Sequence, residues 1–320
     1  MPLLGLVAVS GITLIPALFL MFKACNIGSW RPSLSGIWQQ LKFSLPLAIA
    51  GAAGALSLNL DKVIVSSFFG AEQFSIYVNG AIEVPLIAIV TASVSMVVLR
   101  DATTMLKDGR TQEALELWQR AATKCAVIIL PAMFFLLLMA PELMRVLFSD
   151  EYSASATPFR IYLLLLPIRI VSFGVLLIAA GRSNLVLITS VVGLALNAAL
   201  SLVLVQWVGY LGAAIATVIT TYVWAVPFSM YCISRLTQHN ILQVLPWRNV
   251  LMIAGISCLA IVPLALIKPQ ITLSDFAILP MAGIVYFAIV LVVLANTGYV
   301  NLESLSAHFL QRRVAHTTKP

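Results

Sequence analysis

Asp61, Lys62, Glu83 and Arg169 stand inside stretches of the chain that are otherwise apolar enough to cross a lipid bilayer. A charged side chain at bilayer depth costs about 2.5–3.5 kcal/mol on insertion scales, so it persists where it faces a partner, water or a translocation path. Two cations and two carboxylates in such positions support one of two arrangements. They can pair internally, Lys62 with Glu83 and Asp61 with Arg169, and lock a helix bundle. Alternatively they line a water-filled cavity, where a cation holds an anionic head group and a carboxylate takes up a proton or cation. Arg169 is the strongest anion contact, because guanidinium matches phosphate geometry and stays charged. Asp61 and Glu83 are the coupling or ion-pair candidates.

Polar neighbours accompany the four charges. On a helix over 43–68, Asn59, Lys62 and Ser66 share one face, with Gly54, Ser57 and Asp61 on the adjoining stripe. Counted back from residue 68 at about 1.5 Å per residue, Asp61 and Lys62 lie roughly 10 Å from the helix end. Asn79 and Glu83, four residues apart, share a face of a helix over 74–98. Tyr162, Arg169 and Ser172 share a face of a helix over 156–180, and Asn197 sits near the middle of 185–207. The candidate substrate or cavity residues are therefore Arg169, Lys62, Asn59, Asn79, Tyr162 and Asn197. Pro85 and Pro167 each lie two residues from an intramembrane charge, Glu83 and Arg169, as in a transporter helix that bends beside its site. The same pattern also occurs in static bundles.

The elements that carry these residues follow from composition. The 320 residues are 61% hydrophobic and 10% charged, with a mean hydropathy of +1.02, far above the roughly 45–50% apolar usage of water-soluble domains. Nine stretches approach the length and apolarity of a spanning helix: 3–22, 43–68, 74–98, 123–141, 156–180, 185–207, 210–233, 250–268 and 276–296. The expected fold is all-α, a polytopic membrane helix bundle of about nine transmembrane helices. A net charge of +7 is spread over short loops without aromatic interleaving, so no nucleic-acid partner is implied; membrane lipids are. Lys23, Arg31, Lys42, Arg100, Lys107, Arg110, Arg120, Lys124, Arg182, Arg235, Arg248, Arg312, Arg313 and Lys319 fall in alternate gaps, while Arg145 and Lys268 stand in the others. The basic side is cytoplasmic, which puts the N-terminus of this chain outside and the C-terminus in the cytoplasm.

No Lys or Arg precedes Lys23, so the first span reads as a retained helix and not a signal peptide. The four cysteines, Cys25, Cys125, Cys232 and Cys258, stand singly at distant positions and suit packing better than a disulfide framework. With three His and no HxxxH or HExxH pattern, no metal site and no cofactor is expected. No Gly-rich phosphate loop or nucleophile–base arrangement supports an ATPase or hydrolase, so the chain is read as a non-enzyme. The longest polar loop is 99–122. Its Lys-Asp-Gly-Arg turn at 107–110 precedes Leu115, Trp118 and Ala122, a short amphipathic connector helix expected at the cytoplasmic interface.

From Leu41 to Tyr222 the order and spacing of several short motifs resemble the polysaccharide-export (O-antigen flippase type) branch of the multidrug/oligosaccharidyl-lipid/polysaccharide exporter superfamily. They are Phe43-Ser44-Leu45-Pro46-Leu47, Asn59-Leu60-Asp61-Lys62, Phe68-Phe69-Gly70, Leu147-Phe148-Ser149-Asp150-Glu151-Tyr152, Ala179-Ala180-Gly181-Arg182 and Gly212-Ala213-Ala214-Ile215-Ala216-Thr217. The resemblance implies two six-helix lobes around a cavity that opens alternately to either side. It implies as cargo an undecaprenyl-pyrophosphate-linked oligosaccharide for O-antigen, lipopolysaccharide or exopolysaccharide synthesis. It further implies a bacterial inner membrane and polysaccharide polymerase and ligase machinery as partners. In that frame residues 41–235 correspond to the six-helix C-lobe and 250–296 to two additional helices. Residues 1–22 correspond to the last helix of an otherwise missing N-lobe, and 297–320 form a cytoplasmic tail. Two alternatives remain open. A cation-coupled multidrug antiporter of the same superfamily is opposed by the intramembrane cations Lys62 and Arg169. A membrane-embedded glycosyl- or acyltransferase would need an accessible acid pair, for which Asp150-Glu151 comes closest, though those two acids suit a helix cap better.

Overall fold

A computed structural model describes residues 11–16, 19–20, 23, 33–270 and 274–299. The chain separates into two compact units, residues 1–42 and 43–320. Residues 11–16 are helical, but the rest of the span read over 3–22 lies largely outside the described residues, as do Cys25 and the tail beyond 299. Among the described residues there are helices and turns and no strand, and seven segments are long and apolar enough to cross a membrane.

In chain order the helices are α1 (Leu34–Phe68), α2 (Ala71–Gly80), α3 (Pro85–Lys107), α4 (Thr111–Phe148), α5 (Ala156–Leu163) and α6 (Gly174–Ala179). They continue with α7 (Ser183–Val208), α8 (Leu211–Thr220), α9 (Val226–Thr237), α10 (Ile241–Val244), α11 (Trp247–Ile267) and α12 (Asp275–Asn296). A π-helical turn over Thr221–Ala225 joins α8 to α9 as one span. The chain around Ser33 opens α1 by a local cap, the Ser33 hydroxyl accepting from the Gly36 N–H at 2.9 Å. Gly109 at φ 77° and Gly209 at φ 74° take the left-handed turns after α3 and α7, where a side chain would be strained.

Two of the spans expected as single helices are broken. The stretch over 74–98 stops at Gly80 and restarts at Pro85. Proline holds the preceding Val84 extended (φ −79°, ψ 105°) and then serves as the first helical residue, where its missing N–H costs nothing. The stretch over 156–180 divides into α5, a 3-10 turn over Leu166–Ile170 and α6, with Val171 extended at φ −154° and ψ 150°. Pro167 sits at the head of that turn and removes a backbone donor there. The separate connector helix expected after residue 110 is instead the first turns of the 38-residue α4. Leu115, Trp118 and Ala122 are buried. Trp118 faces Phe173 edge-on at 5.7 Å, so the apolar stripe turns to protein and not to the membrane surface.

Long α4 is the axis of the larger core, against which α3, α5, α6, α9, α11 and α12 pack. A smaller core joins Ile64 and Val65 of α1, Tyr77 of α2, Val205 of α7 and Ala213 and Ala214 of α8. The small residues of α8 let it approach α7 closely, since a Cβ on Gly212 would overlap the Leu204 carbonyl of that helix. Gly212→Ala is therefore expected to lose about 1–3 kcal/mol of stability, read as a lower unfolding midpoint of the detergent-purified protein. Gly255→Ala in α11, where the added methyl meets open space, should keep or raise the midpoint; a midpoint for Gly212→Ala as high as that for Gly255→Ala would remove the close-approach argument.

Candidate functional site

The two helix breaks face one another across a cavity of about 410 Å³. Its wall comes from α1 (Ser57, Leu58, Asn59, Asp61, Lys62), the 81–88 segment, residues 162–169 and Thr217 of α8. Glu83 lies in the non-helical stretch between α2 and α3, and Arg169 in the 3-10 turn. Non-helical backbone at membrane depth is tolerated where protein groups satisfy its freed carbonyls. Three neighbours do so here: the Tyr222 hydroxyl donates to the Leu164 carbonyl at 2.7 Å, Thr91 to that of Arg169 at 2.9 Å, and Trp118 Nε1 to that of Ser172 at 3.2 Å. The break around Arg169 is thus held on three sides, and its side chain projects from a fixed backbone.

The charges pair differently from the internal scheme that spacing suggested. Arg169 Nη2 donates to Glu83 Oε1, a contact between the two breaks with side chains 38% and 48% exposed. Asp61 has no part in it. Its carboxylate is 2% exposed and accepts from the Tyr77 hydroxyl at 3.0 Å and from the Lys62 backbone N–H at 2.8 Å. Tyr77 in turn lies 2.9 Å from the Tyr162 hydroxyl. A phenol donates once, so with its proton on Asp61 the Tyr77 oxygen accepts from Tyr162. The result is a hydroxyl chain through the buried Tyr77 that joins Tyr162 to Asp61, both lining the cavity. No carboxylate among the described residues lies within 4.0 Å of the Lys62 ammonium. Half-buried on the same wall, Lys62 is the cation left available to a ligand.

Of the candidate residues, Arg169, Lys62, Asn59, Tyr162, Asp61 and Glu83 line this cavity. Asn59 turns its amide back onto its own helix, donating to the Ala55 carbonyl at 2.9 Å. Asn197 stands behind the wall: buried, it donates to Thr217 Oγ1 at 2.9 Å, and Thr217 is the lining residue. Asn79 is half-buried on α2 and is not in the wall. Its face-sharing with Glu83 assumed a helix through residues 81–84, which the break removes. The same applies to Ser172, whose carbonyl binds Trp118 beyond the 3-10 turn. Tyr77 was not singled out by sequence, and Ser57, placed on the stripe of Asp61, and Thr217, named only within a motif, were not among the candidate cavity residues. Among the described residues no group of three His, Cys, Asp or Glu side chains gathers as a metal site.

A family model described as "Polysaccharide biosynthesis protein" matches residues 3–157. The probable lipid II flippase MurJ of Rhizobium meliloti (strain 1021) is 30% identical over 134 residues, which are 41% of this chain and 25% of that protein. A solved structure of lipid II flippase MurJ in an inward closed conformation superposes with a TM-score of 0.66 at 15% identity, over 87% of this chain and 58% of the solved one. The chain thus spans a quarter of the curated relative and somewhat over half of the solved structure. Its helical fold is similar to that of the solved structure over the part they share.

Proposed function

We propose, from the chain's resemblance to the multidrug/oligosaccharidyl-lipid/polysaccharide exporter superfamily, that it is part or all of a flippase for undecaprenyl-pyrophosphate-linked oligosaccharides. The observation that carries this reading is the single cavity into which two helix breaks bring Arg169 and Glu83 beside Lys62 and Asp61. Arg169 and Lys62 supply the cations for a pyrophosphate, Asn59 and Tyr162 hydrogen-bonding groups for a sugar, and Asp61 a buried carboxylate for coupling. No covalent step is required of any of them. Residues 41–235 act as one lobe, with 250–296 as an added helix pair, 1–22 as the last helix of a preceding lobe and 297–320 as a cytoplasmic tail. The assembly works in a bacterial inner membrane with the N-terminus of this chain outside. It delivers repeat units to polymerase and ligase machinery for O-antigen or exopolysaccharide.

The test is Arg169→Ala in the cell from which the sequence derives. Charge-assisted hydrogen bonds are worth about 1.5–3 kcal/mol, about ten- to a hundredfold in binding. Surface polysaccharide should fall by that order, while immunoblots show unchanged protein in the membrane fraction. Arg169→Lys should keep the charge and lose the bidentate geometry, giving an intermediate yield. Normal polysaccharide in the alanine variant would remove the cavity assignment.

A further inference from the structure

We propose that Glu83 is a built-in competitor for the substrate anion: it occupies Arg169 in the empty cavity and must be displaced before a phosphate can take the whole guanidinium. The inference rests on the anionic-substrate reading above and adds how the site selects its ligand.

Four observations support it. The Arg169–Glu83 contact uses one guanidinium nitrogen, Nη2. The remaining N–H groups of Arg169 make no hydrogen bond among the described residues, so an incoming phosphate can engage them before Glu83 leaves. Both side chains are more than a third exposed, and ion pairs in such settings are worth about 0–1 kcal/mol, within reach of a competing ligand. Glu83 projects from the non-helical stretch between α2 and α3, where no helical ladder fixes its backbone. By contrast, Arg145 at the far end of α4 holds Asp275 through two bonds of 2.7 and 2.9 Å, a closed pair with both partners below a third exposed. Of the two arginine pairs, the one in the cavity is built to open.

The charge balance gives the device its selectivity. Asp61 and Glu83 offset Lys62 and Arg169, so the empty wall is close to neutral. A singly charged anion gains no more from Arg169 than Glu83 already provides. A pyrophosphate brings more charge and several acceptor oxygens, and reaches Lys62 as well. Glu83 therefore lowers the affinity of every such anion by one factor, which leaves a weakly held monophosphate unbound while a pyrophosphate, with its further contact to Lys62, stays bound.

The experiment measures binding of inorganic pyrophosphate and inorganic phosphate to the detergent-purified chain by isothermal titration calorimetry. Glu83→Gln should bind pyrophosphate up to about fivefold tighter than the parent, and phosphate tighter by a similar factor, because one competing contact is removed for both. Because the Gln amide oxygen can still accept from Arg169, Glu83→Ala is the companion variant, expected to behave alike. The gain should vanish in Glu83→Gln/Arg169→Gln, and unfolding midpoints matching the parent show that the variants are folded. If the parent binds pyrophosphate while both Glu83 variants bind it equally or more weakly, Glu83 merely orients Arg169; the competitor is overturned and the substrate reading stands. Binding by none of the variants overturns both.

Discussion

An Asp61→Asn variant is expected to fold and reach the membrane like the parent protein while exporting on the order of a tenth or less of the surface polysaccharide. Asparagine keeps the shape and one of the two acceptor oxygens. The Tyr77 hydroxyl, 3.0 Å from Asp61, can donate to the amide as it does to the acid, and the hydroxyl chain to Tyr162 survives. What asparagine removes is the ability to change charge. Asp61 is the most buried charge of the cavity wall, at 2% exposure, and sits beside Lys62, whose ammonium has no paired carboxylate among the described residues. A structural tether would tolerate the exchange; a carboxylate that takes up a proton or cation during transport would not. Asp61→Ala separates the two effects further, since it also takes away the acceptor for Tyr77, at a cost of about 1–3 kcal/mol in stability. Surface polysaccharide and the unfolding midpoint, measured on both variants, read the two losses independently. Export at the parent level by the asparagine variant would leave Asp61 as a packing residue.

The sequence announced this wall through energetic exception. Charges in apolar spans are costly enough to be informative one by one, and Asp61, Lys62, Glu83 and Arg169 do come together at one cavity. Their pairing was not legible, because helical periodicity was extended through residues where the helix stops. Pro85 and Pro167 were visible as kinks beside charges. Their stronger consequence, that Glu83 and Arg169 lie on non-helical backbone, depends on which neighbours rescue the freed carbonyls. Tyr222, Thr91 and Trp118 do so from distant points in the chain, and no local pattern predicts them. Trp118 shows the same limit from another side: its apolar stripe marked an amphipathic helix correctly, and the long-range contact with Phe173 decided that the stripe faces the core. Tyr77 went unnoticed because an aromatic residue in an apolar run carries no excess cost, although its hydroxyl organises the buried acid.

Removing one carboxylate near the C-terminal end of α4 should cost at least as much stability as Asp61→Ala in the cavity. Glu142, with a side chain 10% exposed, accepts from Lys268 Nζ at 2.8 Å and lies 3.5 Å from Arg145 Nη2. Lys268 also donates to the Leu138 carbonyl at 2.8 Å, and Arg145 closes on Asp275 at the start of α12. The group thus ties the end of α11 and the start of α12 to α4. Glu142→Ala leaves the largely buried Lys268 ammonium (19% exposed) without its counter-ion. Breaking one side of a buried pair typically costs about 3–5 kcal/mol, and the residual exposure places this variant near about 3 kcal/mol. Replacing both partners, Glu142→Leu with Lys268→Met, removes the stranded charge together with the pair and should recover most of that loss. Arg145 keeps Asp275 and loses Glu142 in both variants, so their difference isolates the stranded Lys268 charge. Unfolding midpoints of the single and double variants in detergent decide the matter. If the double variant is no more stable than Glu142→Ala, the ion pair itself holds the helices, and the loss does not come from an uncompensated buried cation.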